Sequence, residues 1–389
     1  MAGFKNEIDQ LAQAGFEMII YSFGSGFNLE TADPAYLAQI KAQVDYAKSK
    51  GIADIGGYDL ICQDRGHGGY GGDVGAQWDT VDSDGHTLMA NACFASGWAD
   101  KLTGLISNFL NTTGLTGVEL DGPYGGGPCA SKNHSHHEDA GDAVYRNAQQ
   151  TAVLFGALRS AGIYINQPDN YFYQGGQRTG IGYNEDQFSL PRWTDLTITR
   201  QSIYDGTFNM APTQGWTQVP LLDYHGGGAA AAFDPMSQHL AEFEMALAQN
   251  LGAGVAACYR GNRLFDAPAA LAIAAKWAAL FKANRDILTA DVIHVRRADG
   301  QAIDAFMHAD ATLPTPGFLL AFNPTLAPLT QTLTVPLYYT GIATTALLAR
   351  EGGAPTPLAL ARDYSVQLTL TLAPQSVTWF AITSGDAQE

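Results

Sequence analysis

Up to about residue 285 the apolar residues of this chain follow two alternating patterns. In one they recur every three or four positions, as do Phe4, Ile8 and Leu11, which predicts a helix over 4–14. In the other they run on without interruption, as from Phe16 to Tyr21, which predicts a short buried strand. Further helices are predicted over 35–50, 97–111, 142–160, 191–205, 236–250 and 267–284. Further strands are predicted over 52–61, 117–121, 163–166, 179–184, 219–224 and 255–259, the first of them broken by Gly56 and Gly57.

Short continuous strands alternating with helices form a parallel sheet covered on both faces, so the fold class is α/β and the expected architecture a (β/α)8 TIM-type barrel. The pattern holds seven strands and opens on a helix, whereas a closed barrel needs eight. The expectation is a barrel lacking its first strand in this chain, with that strand upstream of Met1. From about 286 helical periodicity stops. Apolar runs at 292–295, 318–322, 332–335, 364–372 and 377–382 are separated by turn residues, as in an antiparallel β-sandwich. The expected domains are a barrel over 1–285 and a sandwich over 286–389.

Composition narrows the partners. Of the 389 residues 46% are hydrophobic and 15% charged, which suits a large packed core and excludes disorder. The net charge of −17 leaves no basic surplus to neutralise phosphates, which argues against nucleic acid and anionic membranes. No apolar run is long enough to cross a bilayer, and residues 1–7 lack the apolar core of a signal peptide. With a strand expected upstream, an export signal could lie there too, so localisation stays open, a secreted or periplasmic site included. Four cysteines, Cys62, Cys93, Cys129 and Cys258, are too few for a disulfide scaffold. Free buried thiols are expected, with a Cys93–Cys129 bridge between loops as the alternative.

Candidate chemistry collects at the strand ends. The strand 117–121 stops at Asp121, and Gly122, Pro123 and the glycines 125–127 cannot extend it. In a barrel the C-terminal strand tips carry the catalytic groups. Other tips carry Asp59 beside Tyr58, Asn166 with Asp169, Glu185 and Asp186 after Tyr183, Asp223 with Tyr224 and His225, and Arg260. Tyr124, Tyr171, Trp193 and Tyr259 lie in the same segments. Aromatic planes among carboxylates, amides and an arginine suit a sugar, stacking on its apolar face and bonding its hydroxyls.

Two carboxylates flanking the ring suffice for glycoside hydrolysis. Asp121 has the sharpest strand tip and is the expected nucleophile. Glu185 is the first choice of acid/base and Asp186 the second. Three weaker signals carry less. Asp79, Asp82 and Asp84 before Gly85 miss the spacing of a calcium loop. His134, His136 and His137 read as an exposed loop in preference to a metal site. The glycines at 24–26 and 226–228 lack the Lys-Ser/Thr of a phosphate loop.

The order of elements resembles the melibiase-like clan of retaining α-galactosidases and α-N-acetylgalactosaminidases. The helix 4–14, the strand 16–22 and residues 36–57 resemble its second and third barrel units, the strand ending in Asp121-Gly122 its nucleophile strand, and residues 182–192 its acid/base region. Two places depart from the clan's pattern: the first tip reads Ser22-Phe23-Gly24-Ser25 where an aspartate pair is usual, and Glu119 stands where a lysine is common. The resemblance implies a retaining glycosidase for α-linked galactose-like sugars, with no metal or organic cofactor. It implies Asp121 as nucleophile, Glu185 or Asp186 as acid/base, and an oligosaccharide or polysaccharide substrate. Tyr58, Asp59, Tyr124, Asn166, Asp169, Tyr183, Arg192, Asp223, Tyr224, His225 and Arg260 are the expected substrate contacts. Two rivals remain at this stage: a carbohydrate-binding protein or inactive barrel fragment, and a metal-dependent barrel hydrolase using Asp59, Asp121, His225 and the 134–137 loop. Exposed edges of an incomplete barrel also give a reason to expect a homodimer.

Overall fold

The structure, a computed structural model, describes residues 2–22, 24–62, 74–122, 126–166, 190–206, 216–222 and 228–386. The chain forms two compact units, residues 1–177 and 178–389. The first contains α1 (Ala2–Ala14), β1 (Met18–Tyr21), α2 (Pro34–Ser49), β2 (Asp54–Leu60), β3 (Asp79–Val81), β4 (Thr87–Ala92), α3 (Gly97–Thr113), β5 (Gly117–Asp121), α4 (Ala143–Ser160) and β6 (Tyr164–Asn166). β1, β2, β5 and β6 pair in that order as one parallel sheet, with Ile20 opposite Gly56, Tyr58 opposite Glu119, and Glu119 opposite Asn166.

Local chemistry sets the helix ends. The Asp33 carboxylate accepts from the Ala35 N–H and Pro34 opens α2, its fixed φ already helical. Ser96 caps α3, and Gly114, at a φ of 75°, ends it in the left-handed region that glycine adopts without penalty. Leu37, Ile40 and Val44 of α2 and Leu102, Ile106 and Phe109 of α3 share one core with Ile55, Val118, Leu120 and Ile165 of the sheet. The predicted break at Gly56-Gly57 does not occur: β2 runs through both. A Cβ on residue 57 would lie 2.2 Å from Cε1 of Phe27, whose ring stacks on Tyr21 at 4.6 Å. The glycine makes room for an aromatic ring inside the core.

The predicted pattern also lacks the β3–β4 hairpin. Its turn is closed by Asp82, whose Oδ1 accepts from the N–H groups of Asp84 (2.9 Å) and His86 (2.8 Å). The carboxylate thereby serves the turn.

The second unit opens with α5 (Arg192–Gly206), β7 (Trp216–Pro220), α6 (Gly228–Ala231), α7 (Leu240–Gly252), β8 (Ala256–Arg260), α8 (Pro268–Ala283) and α9 (Arg285–Leu288). β7 and β8 pair in parallel, Val219 opposite Tyr259. The predicted strand 179–184 lies outside the described residues. Then come β9 (Asp291–Arg296), β10 (Asp304–Ala309), β11 (Gly317–Asn323), β12 (Leu329–Pro336), β13 (Thr345–Arg350), β14 (Thr356–Ala359), β15 (Ser365–Leu372) and β16 (Ser376–Ser384). Six of these form an antiparallel sheet ordered β14-β13-β16-β11-β10-β9, and β12 pairs with β15. Leu319 and Ile382 of the large sheet share a core with Leu333, Val335, Val366 and Leu370 of the small one, the arrangement of a sandwich. Sequence patterning missed β10, β13 and β14.

Candidate active site

Asp121 is the last residue of β5 and is partly exposed, with Val118 and Leu120 before it fully buried in the core. Side chains alternate across a pleated strand, so Glu119 and Asp121 share the face opposite to Val118 and Leu120. Tyr58, the register partner of Glu119, lies on that same face, and its hydroxyl donates to Asp121 Oδ2. Glu119 is 1% exposed and has Tyr58 and Asn166 as register neighbours on either side. No functional role follows for Glu119 from the sequence pattern, although its spacing of two residues from Asp121 already places both carboxylates on one face.

Asp59 goes the other way. It is the register partner of Leu120 and belongs to the face that packs on the helices, where it is buried. The sheet therefore brings Tyr58 and Asp121 together and turns Asp59 away from them.

In the second unit Arg192 opens α5 and donates from Nη1 to the carbonyls of Ala229 (2.8 Å) and Ala232 (2.6 Å), closing the C-terminal end of α6. Its Nε lies 3.8 Å from the Glu242 carboxylate. Arg260 ends β8, buried, opposite Pro220. Burial pushes the carboxyl of Asp195, in the first turn of α5, up to about 7. Tyr124, Asp169, Tyr171, Tyr183, Glu185, Asp186, Asp223, Tyr224 and His225 lie outside the described residues.

The histidine stretch is not an exposed loop. His134 and His137 are 8% and 6% exposed, and only His136 turns outward, to Asp100 at 2.8 Å. Nor is there a bridge between Cys93 and Cys129; both are free, buried thiols. The two sulfurs and one nitrogen each of His134 and His137 all lie within 4.8 Å of one another.

No family model matches the chain, and no curated protein is similar to it in sequence. Solved structures are similar in fold. The α-galactosidase from Lactobacillus brevis superposes with a TM-score of 0.66 at 11% identity, over 100% of this chain and 53% of that one. The α-amylase from Geobacillus thermoleovorans, solved with acarbose, gives 0.62 at 11% identity, over 98% and 92%. The debranching enzyme from Nostoc punctiforme gives 0.58 at 13% identity, over 97% and 88%. Such structures are TIM-barrel glycoside hydrolases with C-terminal sheet domains, and this chain shares their fold.

Proposed function

We propose that this chain is a glycoside hydrolase that cleaves α-linked, galactose-like sugars with retention of anomeric configuration. The observation that carries the reading is Asp121: a partly exposed carboxylate at the C-terminal tip of a buried parallel strand, held on one oxygen by the Tyr58 hydroxyl. Likeness in fold to an α-galactosidase and an α-amylase supports the same chemistry at that tip. In this reading residues 1–285 are the catalytic barrel and 286–389 the accessory sandwich.

The bond from Tyr58 orients the carboxylate through Oδ2. Asp121 bonds to the anomeric carbon as the glycosidic C–O bond breaks, and Glu185 gives its proton to the departing oxygen. Glu185 then takes a proton from water, the water oxygen bonds to the anomeric carbon, and the ester to Asp121 breaks. Asp186 fills the same role if Glu185 does not. Buried Glu119, two residues below, keeps a second carboxylate on the nucleophile's face. The substrate class is an oligosaccharide or polysaccharide that contains an α-linked sugar.

Wild type and Asp121→Asn should be compared on aryl α- and β-glycosides, with the anomer first released followed by NMR. The wild type should hydrolyse an α-glycoside to the α-anomer, and Asp121→Asn should lose roughly 10³-fold or more in kcat with its circular dichroism unchanged. An Asp121→Asn protein with full activity would remove Asp121 from the mechanism, and release of the β-anomer would replace retention with inversion.

A further inference from the structure

We propose that Cys93, Cys129, His134 and His137 form a structural zinc site that clamps the loop following the Asp121 strand. The proposal is independent of any glycosidase activity. The four residues come from two places in the chain. Cys93 directly follows β4, while Cys129, His134 and His137 lie in the segment between β5 and α4. All four are buried, at 2%, 0%, 8% and 6% exposure, beside Ala95, Ala143 and Val81.

The hydrogen bonds around the two rings assign their tautomers. His134 Nε2 lies 3.1 Å from the carbonyl of Gln77, and His137 Nδ1 lies 3.2 Å from the carbonyl of Asp139. A carbonyl only accepts, so each outer nitrogen carries the hydrogen. A neutral imidazole has a single N–H, which leaves His134 Nδ1 and His137 Nε2 as bare lone pairs. These two atoms face each other at 2.9 Å, with Cys129 Sγ 3.6 Å from the first. Two lone pairs at that distance repel unless a cation lies between them. Outer-nitrogen bonds to backbone carbonyls are also how metal-bound histidines are usually oriented.

Size and chemistry select the cation. Zinc bonds of about 2.3 Å to sulfur and about 2.0–2.1 Å to nitrogen give a tetrahedron with edges of about 3.3–3.8 Å. The 2.9 and 3.6 Å separations lie within about 0.4 Å of those edges, and the widest separation, at most 4.8 Å, would close by about 1 Å or less around the ion. A proton shared between the rings would relieve the nitrogens alone and gives no reason for two sulfurs to converge on them. Zn²⁺ with two thiolates and two neutral imidazoles is a neutral unit, which suits a buried site. The Val81 N–H points at Cys129 Sγ at 3.4 Å and the Asn147 amide at Cys93 Sγ at 4.0 Å, as donors do around bound thiolates. Four protein ligands fill a tetrahedron and leave no position for substrate, so the role is structural.

The test is metal analysis of the full chain purified from zinc-replete medium, followed by refolding with Co²⁺. About one Zn²⁺ per chain is expected, and the cobalt form should show the strong visible bands of a tetrahedral site together with thiolate-to-cobalt charge transfer. Cys129→Ala and His137→Ala should lower metal content by about tenfold or more, while His136→Ala retains it. Should those variants fail to fold, the cobalt spectrum of the wild type still decides. Metal far below stoichiometry, a cobalt form without thiolate charge transfer, or a thermal midpoint that a chelator leaves unmoved would each overturn the site and leave a proton between the rings.

Discussion

The Tyr58 hydroxyl is a contact to Asp121 that tests the proposed nucleophile without removing it. It donates to Oδ2 from a ring that is itself buried, so the bond orients the carboxylate against a fixed point. A hydrogen bond to a charged group contributes about 1.5–3 kcal/mol. Tyr58→Phe keeps the ring and deletes that bond, so kcat/KM should fall about ten- to hundredfold with the fold retained. Steady-state kinetics on the best aryl glycoside would measure it, and an unchanged kcat/KM would mean the bond is merely structural. Asp195 gives a different residue-level test. Burial raises its carboxyl to about 7 in the folded state from an ordinary 3.8. Between those values the folded protein holds a proton that the unfolded chain has lost, so stability falls as pH rises from about 4 to about 7 and then levels. Asp195→Asn removes that slope. Urea denaturation should find the variant equal to wild type near the low end of the window and more stable above its high end.

At the scale of elements, the sequence pattern locates strands and helices wherever one rule governs a segment. β5 is legible as a short alternation of apolar and charged residues between Gly117 and Gly122, and α3 as an apolar helical period after the capping Ser96. β10 is not, because its six residues are all buried and yet include Asp304 and His308, which break both the continuous and the alternating pattern. Their burial depends on partners far away in sequence. Arg200 of α5 meets Asp304 through two bonds, at 2.8 and 3.1 Å, and also bonds Gln249 at 3.0 Å, while His308 reaches the Gly252 carbonyl at 2.7 Å. The pair joins α5 and α7 to the large sheet, with the guanidinium 5.1 Å from the Phe322 ring centre. Asp304→Ala strands a buried cation and should cost about 3–5 kcal/mol in chemical denaturation. Adding Arg200→Met should return part of that loss, since no charge then lies buried alone. A second substitution whose cost simply adds would show the pair to be uncoupled. The candidate site was legible to the same degree. The tip at Asp121 is written in a single segment, but the faces of Tyr58 and Asp59 emerge only from the pairing register, and the cysteine–histidine cluster only from the fold.

Across the whole molecule, the fold is shared with structures of 11–13% identity, so the likeness lies in the fold and not in the residues themselves. Each unit has its own apolar core, one around Val118 and Leu120 and one around Leu319 and Ile382. The four proposed metal ligands all belong to the first unit, and among the described residues the apolar cluster that holds the two cysteines is small, with Ala95, Ala143 and Val81. So little buried surface contributes little stability, and the loop would depend on the metal for its order. Backbone bonds carry that dependence to the neighbouring hairpin: Ala130 N–H to the Val81 carbonyl at 2.8 Å ties the loop to the end of β3, and Cys93 N–H to the Trp78 carbonyl at 2.8 Å ties the end of β4 to the residue before β3. Hydrogen exchange after chelation should therefore quicken over residues 126–142, β3 and β4, and the start of α4. β11 and β16 should keep their protection, because their hydrogen bonds are made to each other inside a sheet that holds no ligand. Equal loss of protection in both units would mean that the metal, if bound, supports the whole chain and not this loop. No change anywhere would mean that the loop is ordered by its own hydrogen bonds and the histidine–carbonyl contacts alone.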